Sequence, residues 1–142
     1  MRVPTTRPPA GLFGLRIPFL ELLGVRSEHR ERGRAVVSLE LRPELTNGWG
    51  SAHGGVVTGL LDVAMGGAAM AADVHATGVV TVNLSIGFMR SATGSLVAEE
   101  RMVRGGRSLV FCEGEVRDAD GPVLAKGVGT FEVARRACRS SG

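Results

Sequence analysis

Between residues 35 and 42 the chain alternates in step: Ala35, Val37, Leu39 and Leu41 fall on one side, with Val36, Ser38, Glu40 and Arg42 between them. A period of two predicts a half-buried strand, ended by Pro43. A turn at Glu31 to Gly33 precedes it, with a hairpin partner around residues 25–30. Upstream, PFLELLG (18–24) has proline at the first helical position and glycine where a helix would end, which predicts a short helix. From Gly54 to Asp73 the alternation is lost. GGVVTGLLDVAMGGAAMAAD carries almost no polar side chain and is apolar on every side, the pattern of a buried helix. Asp62 at its centre and glycines 55, 59, 66 and 67 argue against a membrane span. Four β-rich segments follow, 77–92, 95–106, 107–121 and 122–134, separated by Thr-Gly, Gly-Gly and Asp-Gly turn signals. An antiparallel meander is the simplest way to join them.

The predicted order is a short helix, two strands, one long helix and four strands. The expected fold is therefore α+β, an antiparallel sheet wrapped around one long central helix. A helix apolar all round cannot rest on a sheet with one wet face, so either the sheet curls around it or a second chain covers it. Small residues at 59, 66, 67, 68 and 69 allow close backbone approach, and both features favour a homodimer.

Composition narrows the picture. The 142 residues suit one domain, expected over 18–134, with a proline-rich leader at 1–17 and a basic tail at 135–142. Two cysteines, Cys112 and Cys138, make neither a disulfide framework nor a zinc spacing. A reducing, cytoplasmic setting is expected, and the prolines of the first twenty residues interrupt any secretory apolar run. The net charge of +3 comes from sixteen arginines and the single Lys126. Arginine forks suit phosphate, but only 4% of residues are aromatic and none is tyrosine, which argues against nucleic acid as a partner.

Candidate chemistry concentrates around the long helix. Between Leu45 and Ala98 the only ordinarily charged residues are Asp62, Asp73 and Arg90, with His53 and His75. A carboxylate in a buried apolar helix pays a desolvation penalty that raises its pKa toward a base's range. The other reading of Asp62 is a bond to Thr58 one turn back, or a solvent seam. His53-Gly54-Gly55 opens the helix, where free N–H groups and the dipole make an anion or oxyanion site; the same string is also common loop punctuation. Asn47 offers an amide to a carbonyl, or merely an Asn-Gly turn. His53 and Asp62 stand nine residues apart, about 13 Å along a helix, too far to share one reacting atom. If both act on one substrate, they come from different subunits.

The ordered set of Asn47, His53-Gly54-Gly55 and Asp62, followed by TVNLSIGFMRSA, a Gly-Gly-Arg hairpin and LAKGVGTFEV, resembles the hotdog-fold acyl-CoA thioesterases of the PaaI-like group. The likeness runs from about Phe19 to Val133. It implies that Asp62 activates water for attack on the thioester carbonyl or attacks it directly, with the Gly54 N–H facing the carbonyl oxygen. Asn47 and His53 would orient the thioester, and Thr81 would help position the water. By the same resemblance the acid and the Asn/His/Gly group belong to different protomers of a dimer or a dimer of dimers. CoA contacts map onto Gly55, Asn83, Phe88, Arg90 and Ser91, and onto the hairpin Arg104, Gly105, Gly106, Arg107 and Ser108, which is otherwise an ordinary basic hairpin tip. The proline common in the family at residues 90–92 is absent here. No metal and no cofactor is expected, CoA being part of the substrate. The alternatives are a hotdog enoyl-CoA hydratase or dehydratase, and a non-catalytic acyl-CoA-binding protein.

Overall fold

The computed structural model describes residues 16–119 and 121–135. Most of the leader and most of the basic tail expected from the sequence lie outside the described residues. The elements in chain order are α1 (Pro18–Leu23), β1 (Arg26–Glu31), β2 (Arg34–Leu39), a 3-10 turn (Pro43–Leu45), α2 (Gly54–Ala71), β3 (Ala76–Phe88), β4 (Leu96–Gly105), β5 (Leu109–Asp118) and β6 (Val123–Arg135). Helix α1 stops where expected: Gly24 takes the left-handed conformation (φ 79°) and its N–H returns to Leu20 and Glu21 carbonyls.

All six strands form one antiparallel sheet in the order β1-β2-β4-β5-β6-β3. The sheet and its single long helix match the expected fold, but the simple meander does not hold. Strands β4, β5 and β6 do follow one another, whereas β3 pairs with β6 at the far edge and β4 pairs with β2. The Thr-Gly at 93–94 is therefore no hairpin turn. Helix α2 carries the chain from the β2 side across the sheet to its other edge, and the β3–β4 connection brings it back.

Helix α2 packs on the face formed by Val37 and Leu39 of β2, Leu96 and Ala98 of β4, Val110, Cys112 and Val116 of β5, and Phe131 and Val133 of β6. Leu60, Leu61, Ala64, Met65 and Ala68 lose all exposure against it, each large side chain contributing about 1.5–3 kcal/mol. Glycines let the helix come close. A Cβ at Gly129 would lie 3.1 Å from Met65 Sδ and 2.9 Å from Phe131 Cε2. Helix α2 is nevertheless open on one flank, where Gly55 is exposed and Thr58, Gly59 and Asp62 are half-buried. That flank borders β3, a thirteen-residue edge strand with Val80 and Val82 exposed, whose free edge is a template for another strand.

Candidate active site

The start of α2 is built by its own loop. His53 caps the helix: its Nδ1 accepts the Gly55 N–H at 2.9 Å, which leaves Nε2 to carry the ring proton and act as a donor. Asn47 Oδ1 accepts the N–H groups of Trp49 (2.9 Å) and Ser51 (3.2 Å). The Asn-Gly turn is thus real, yet it consumes only the oxygen and leaves the Asn47 amide nitrogen for another acceptor. The loop is tied down by Ala52 N to Ala92 O at 2.8 Å and His53 N to Leu45 O at 2.9 Å. The Gly54 N–H makes no hydrogen bond among the described residues, as the first donors of a helix do not. Beside it lies a cavity of about 360 Å³ lined by Asn47, Gly54, Phe88, Arg90 and Ser91, among others. Five of the residues singled out in the sequence therefore share one wall.

Asp62 sits apart from that cavity. Its Oδ1 accepts the Thr81 hydroxyl of β3 at 2.6 Å. The alternative of a bond to Thr58 is ruled out by geometry, because Thr58 Oγ1 donates to Gly54 O at 2.8 Å. Asp62 is half-buried on the open flank and not sealed in the core, as the apolar surroundings in sequence suggested. Eight residues of helix separate it from Gly54, about 12 Å. Within one chain the two groups do not meet.

The hairpin is farther still. Arg107 O accepts Arg135 Nη1 at 2.7 Å, while Arg135 Nε donates to Asp73 Oδ2 at 2.6 Å. Asp73 follows the C-terminal end of α2, so residues 104–108 lie at the opposite end of an 18-residue helix from the Gly54 cavity, a span of about 27 Å. The His75 N–H, and after it the guanidinium of Arg135, hold the Asp73 carboxyl below its usual range. Asn83 departs from expectation. A bulge between Thr81 and Asn83 shifts the register, so Asn83 faces Thr130 in the row of Phe111, on the sheet surface away from α2. Arg90, Arg104 and Arg107 make no ion pair among the described residues, whereas Arg34, Arg42, Arg101, Arg117 and Arg135 each have a carboxylate partner.

One group went unnoticed in sequence. Glu100 on β4 is 1% exposed, and neither carboxyl oxygen has a hydrogen-bond partner among the described residues. It faces Ala35 of β2 and Gly114 of β5, and its carboxyl fills the space a Cβ at Gly114 would take. Burial, reinforced by Glu115, Glu113 and Glu99, pushes its pKa up to about 9. The signal was available: Leu96, Ala98 and Glu100 share one parity of β4, so a glutamate stood on the core face.

Comparison with known proteins adds a family. The thioesterase superfamily profile matches residues 50–125. A protein named as an esterase from Saccharolobus solfataricus is 33% identical over 116 residues, covering 81% of this chain and 82% of its own. The medium/long-chain acyl-CoA thioesterase YigI of Salmonella typhimurium is 24% identical over 138 residues, covering 86% and 89%. Among solved structures, a mutant of the phenylacetic acid degradation protein PaaI from Thermus thermophilus superposes with a TM-score of 0.74 at 27% identity, covering 82% of this chain and 98% of that one.

Proposed function

Because the chain belongs to the thioesterase superfamily, in its PaaI-like hotdog branch, we propose that it hydrolyses an acyl-CoA thioester with Asp62 of one protomer acting on a carbonyl held by the other. Ester or thioester hydrolysis is what the family and the esterase-named relative support; the acyl-CoA substrate and the residue roles are inferred from the site. One observation carries the reading. Asp62, fixed by Thr81 at 2.6 Å, faces an open flank of the same helix whose first N–H is unpaired.

The free edge of β3 supplies the geometry. Gly54 lies against Phe88, since a Cβ there would be 3.7 Å from the Phe88 ring, and Asp62 lies against Thr81. Antiparallel pairing of two β3 edges centred between Leu84 and Ser85 sets Phe88 opposite the partner's Thr81. That pairing brings Gly54 to the partner's Asp62, forms two equivalent sites, and covers Val80 and Val82. It also carries each hairpin toward the partner's Gly54 cavity, where Arg104 and Arg107 join Arg90 in offering unpaired guanidinium groups to CoA phosphates.

In this arrangement Thr81 occupies Asp62 Oδ1 and leaves Oδ2 to react. As a base, Oδ2 takes a proton from water while the hydroxide oxygen bonds to the thioester carbon. The carbonyl oxygen becomes an oxyanion held by the Gly54 N–H and the helix dipole, with the His53 Nε2–H and the Asn47 amide as neighbouring donors. Collapse breaks the carbon–sulfur bond, and the CoA thiolate receives the proton from Asp62, giving acid and free thiol. The covalent variant has Oδ2 bond to the carbonyl carbon, expelling thiolate and forming an anhydride that water then cleaves. His53 uses Nδ1 as an acceptor from Gly55, so it offers a substrate a donor and not a base, which favours hydrolysis over hydration. The test is thiol release from a panel of acyl-CoA esters by wild type and Asp62→Asn. We expect turnover in the wild type and loss of at least 100-fold in the variant, an order of magnitude set by removing a group that acts in the transition state. A variant within threefold of wild type would sink the assignment.

A further inference from the structure

The short helix α1 presents two apolar faces where one would suffice. Leu20 and Leu23 are buried against the core, whereas Phe19 and Leu22, three residues apart on the other face, are 56% and 67% exposed. This face is held rigidly. Arg42 Nη1 donates to Leu23 O at 2.9 Å and Nη2 to Leu22 O, and Glu44 holds Nε at 3.2 Å. A guanidinium thus caps the C-terminal end of α1, and Gly24 turns the chain immediately beyond it. Of the exposed pair, Phe19 lies beside the open flank of α2. A Cβ added at Gly59 would sit 3.6 Å from Phe19 Cε1 and 3.4 Å from Leu23 Cδ1. Gly59 precedes Asp62 by three residues, and residues so spaced are neighbours on one helix face.

We propose that Phe19, seated on Gly59, and Leu22 on the same exposed face of α1 form the wall that selects the acyl group, and that the group is an apolar chain long enough to reach them. The proposal rests on the reading of Asp62 as the residue that acts on the thioester carbonyl. From Asp62 the wall begins one turn toward the start of α2, about 5 Å along the axis. Roughly four to six carbons beyond the carbonyl therefore reach the Phe19 ring. The absence of a side chain at Gly59 lets the Phe19 ring lie directly against the helix, and the acyl chain runs over the exposed face of that ring. The charged residues of α1 do not enter this path: Glu21 pairs with Arg16 at 3.3 Å. An acetyl group stops short of the wall and gains nothing from it, while each methylene that it covers adds about fourfold in affinity.

The test uses the full chain and non-hydrolysable S-alkyl-CoA ethers, with ethyl, hexyl and decyl as probes and affinity as the readout. Wild type is expected to bind more tightly with each step from ethyl to decyl. Phe19→Ala and Leu22→Asp, both at exposed positions that leave Leu20 and Leu23 in place, are expected to lose at least tenfold of the decyl-to-ethyl ratio. A ratio unchanged in both variants, or wild-type binding independent of chain length, overturns the proposal. Thiol release from the matching thioesters separates this from the reading of the reaction. Asp62-dependent turnover with an unaffected ratio removes the wall alone. Chain-length-dependent binding that Phe19→Ala abolishes, without any turnover, keeps the wall and removes the hydrolase. Absence of binding by any ether overturns the wall outright.

Discussion

Replacing Glu100 by glutamine alters the titration of one buried group and almost nothing of its shape. In the folded protein the carboxyl keeps its proton up to about pH 9, against an ordinary value of 4.5. Among the described residues no cation offsets this: the ionisable groups acting on it are Glu99 on its own strand and Glu113 and Glu115 on β5, and all three raise it. Its cross-strand partners, Ala35 and Gly114, carry no polar side chain, and the nearby Cys112 thiol is itself pushed up by burial and by Glu100. Between the two values unfolding releases a proton, so stability is full below the unfolded pKa and falls as pH rises toward the folded one. The slope is about 1.4 kcal/mol per pH unit, or about 3 kcal/mol between pH 5.5 and 7.5. Denaturant unfolding across that range should show this decline in wild type and a flatter profile in Glu100→Gln, with the variant the more stable at the alkaline end. A second arm uses space in place of charge. Gly114→Ala would place its methyl on the Glu100 carboxyl and should destabilise strongly, but much less when combined with Glu100→Ala. Parallel pH profiles for wild type and Glu100→Gln, or additive effects in the 100/114 pair, would refute a neutral carboxyl packed over Gly114.

Thr81→Val removes the hydroxyl that donates to Asp62 at 2.6 Å; a hydrogen bond to a charged group is worth about 1.5–3 kcal/mol, so kcat should fall roughly 10- to 100-fold with KM little changed. Val82→Glu places a charge on the β3 edge and should yield monomers by sedimentation, with activity lost if, as proposed, each site needs two chains. Arg135→Ala frees the hairpin carbonyl of Arg107 from Asp73; KM for a CoA ester should rise several-fold, while a thioester lacking the CoA phosphates should show no change.

The sequence was most legible where a pattern is local. The apolar run of α2, the strand alternation and the Gly24 stop appear as read, because each depends on residues within a few positions of one another. Asp62 and the Asn47–Gly54 loop stood out because charge is scarce between Leu45 and Ala98. Strand order was not legible: alternation shows which face of β3 is apolar but not that its neighbour is β6, which depends on where α2 lands. The same holds for Asn83, turned to the outer face by a one-residue bulge that no turn residue announces. By the family resemblance residues 104–108 share CoA with the segment around Arg90, yet in one chain they lie at the far end of α2, a separation that the proposed dimer would close. Glu100 is legible only by the parity it shares with Leu96 and Ala98, and that parity runs against the rule that glutamate is rarely buried without a partner.

The claim on which all of this turns is that each site takes Asp62 from one protomer and Gly54 from the other. Gly54 is the first residue of α2, a position that tolerates proline, and His53 before it is extended (φ −62°, ψ 138°) as a pre-proline residue prefers. Gly54→Pro therefore deletes the oxyanion N–H without breaking the helix. Mixing inactive Asp62→Asn and inactive Gly54→Pro protein in equal amounts, with subunit exchange, makes half the dimers hybrid, each with one intact site. The account predicts recovery of about a quarter of wild-type thiol release. A mixture that exchanges subunits and stays inactive would contradict it.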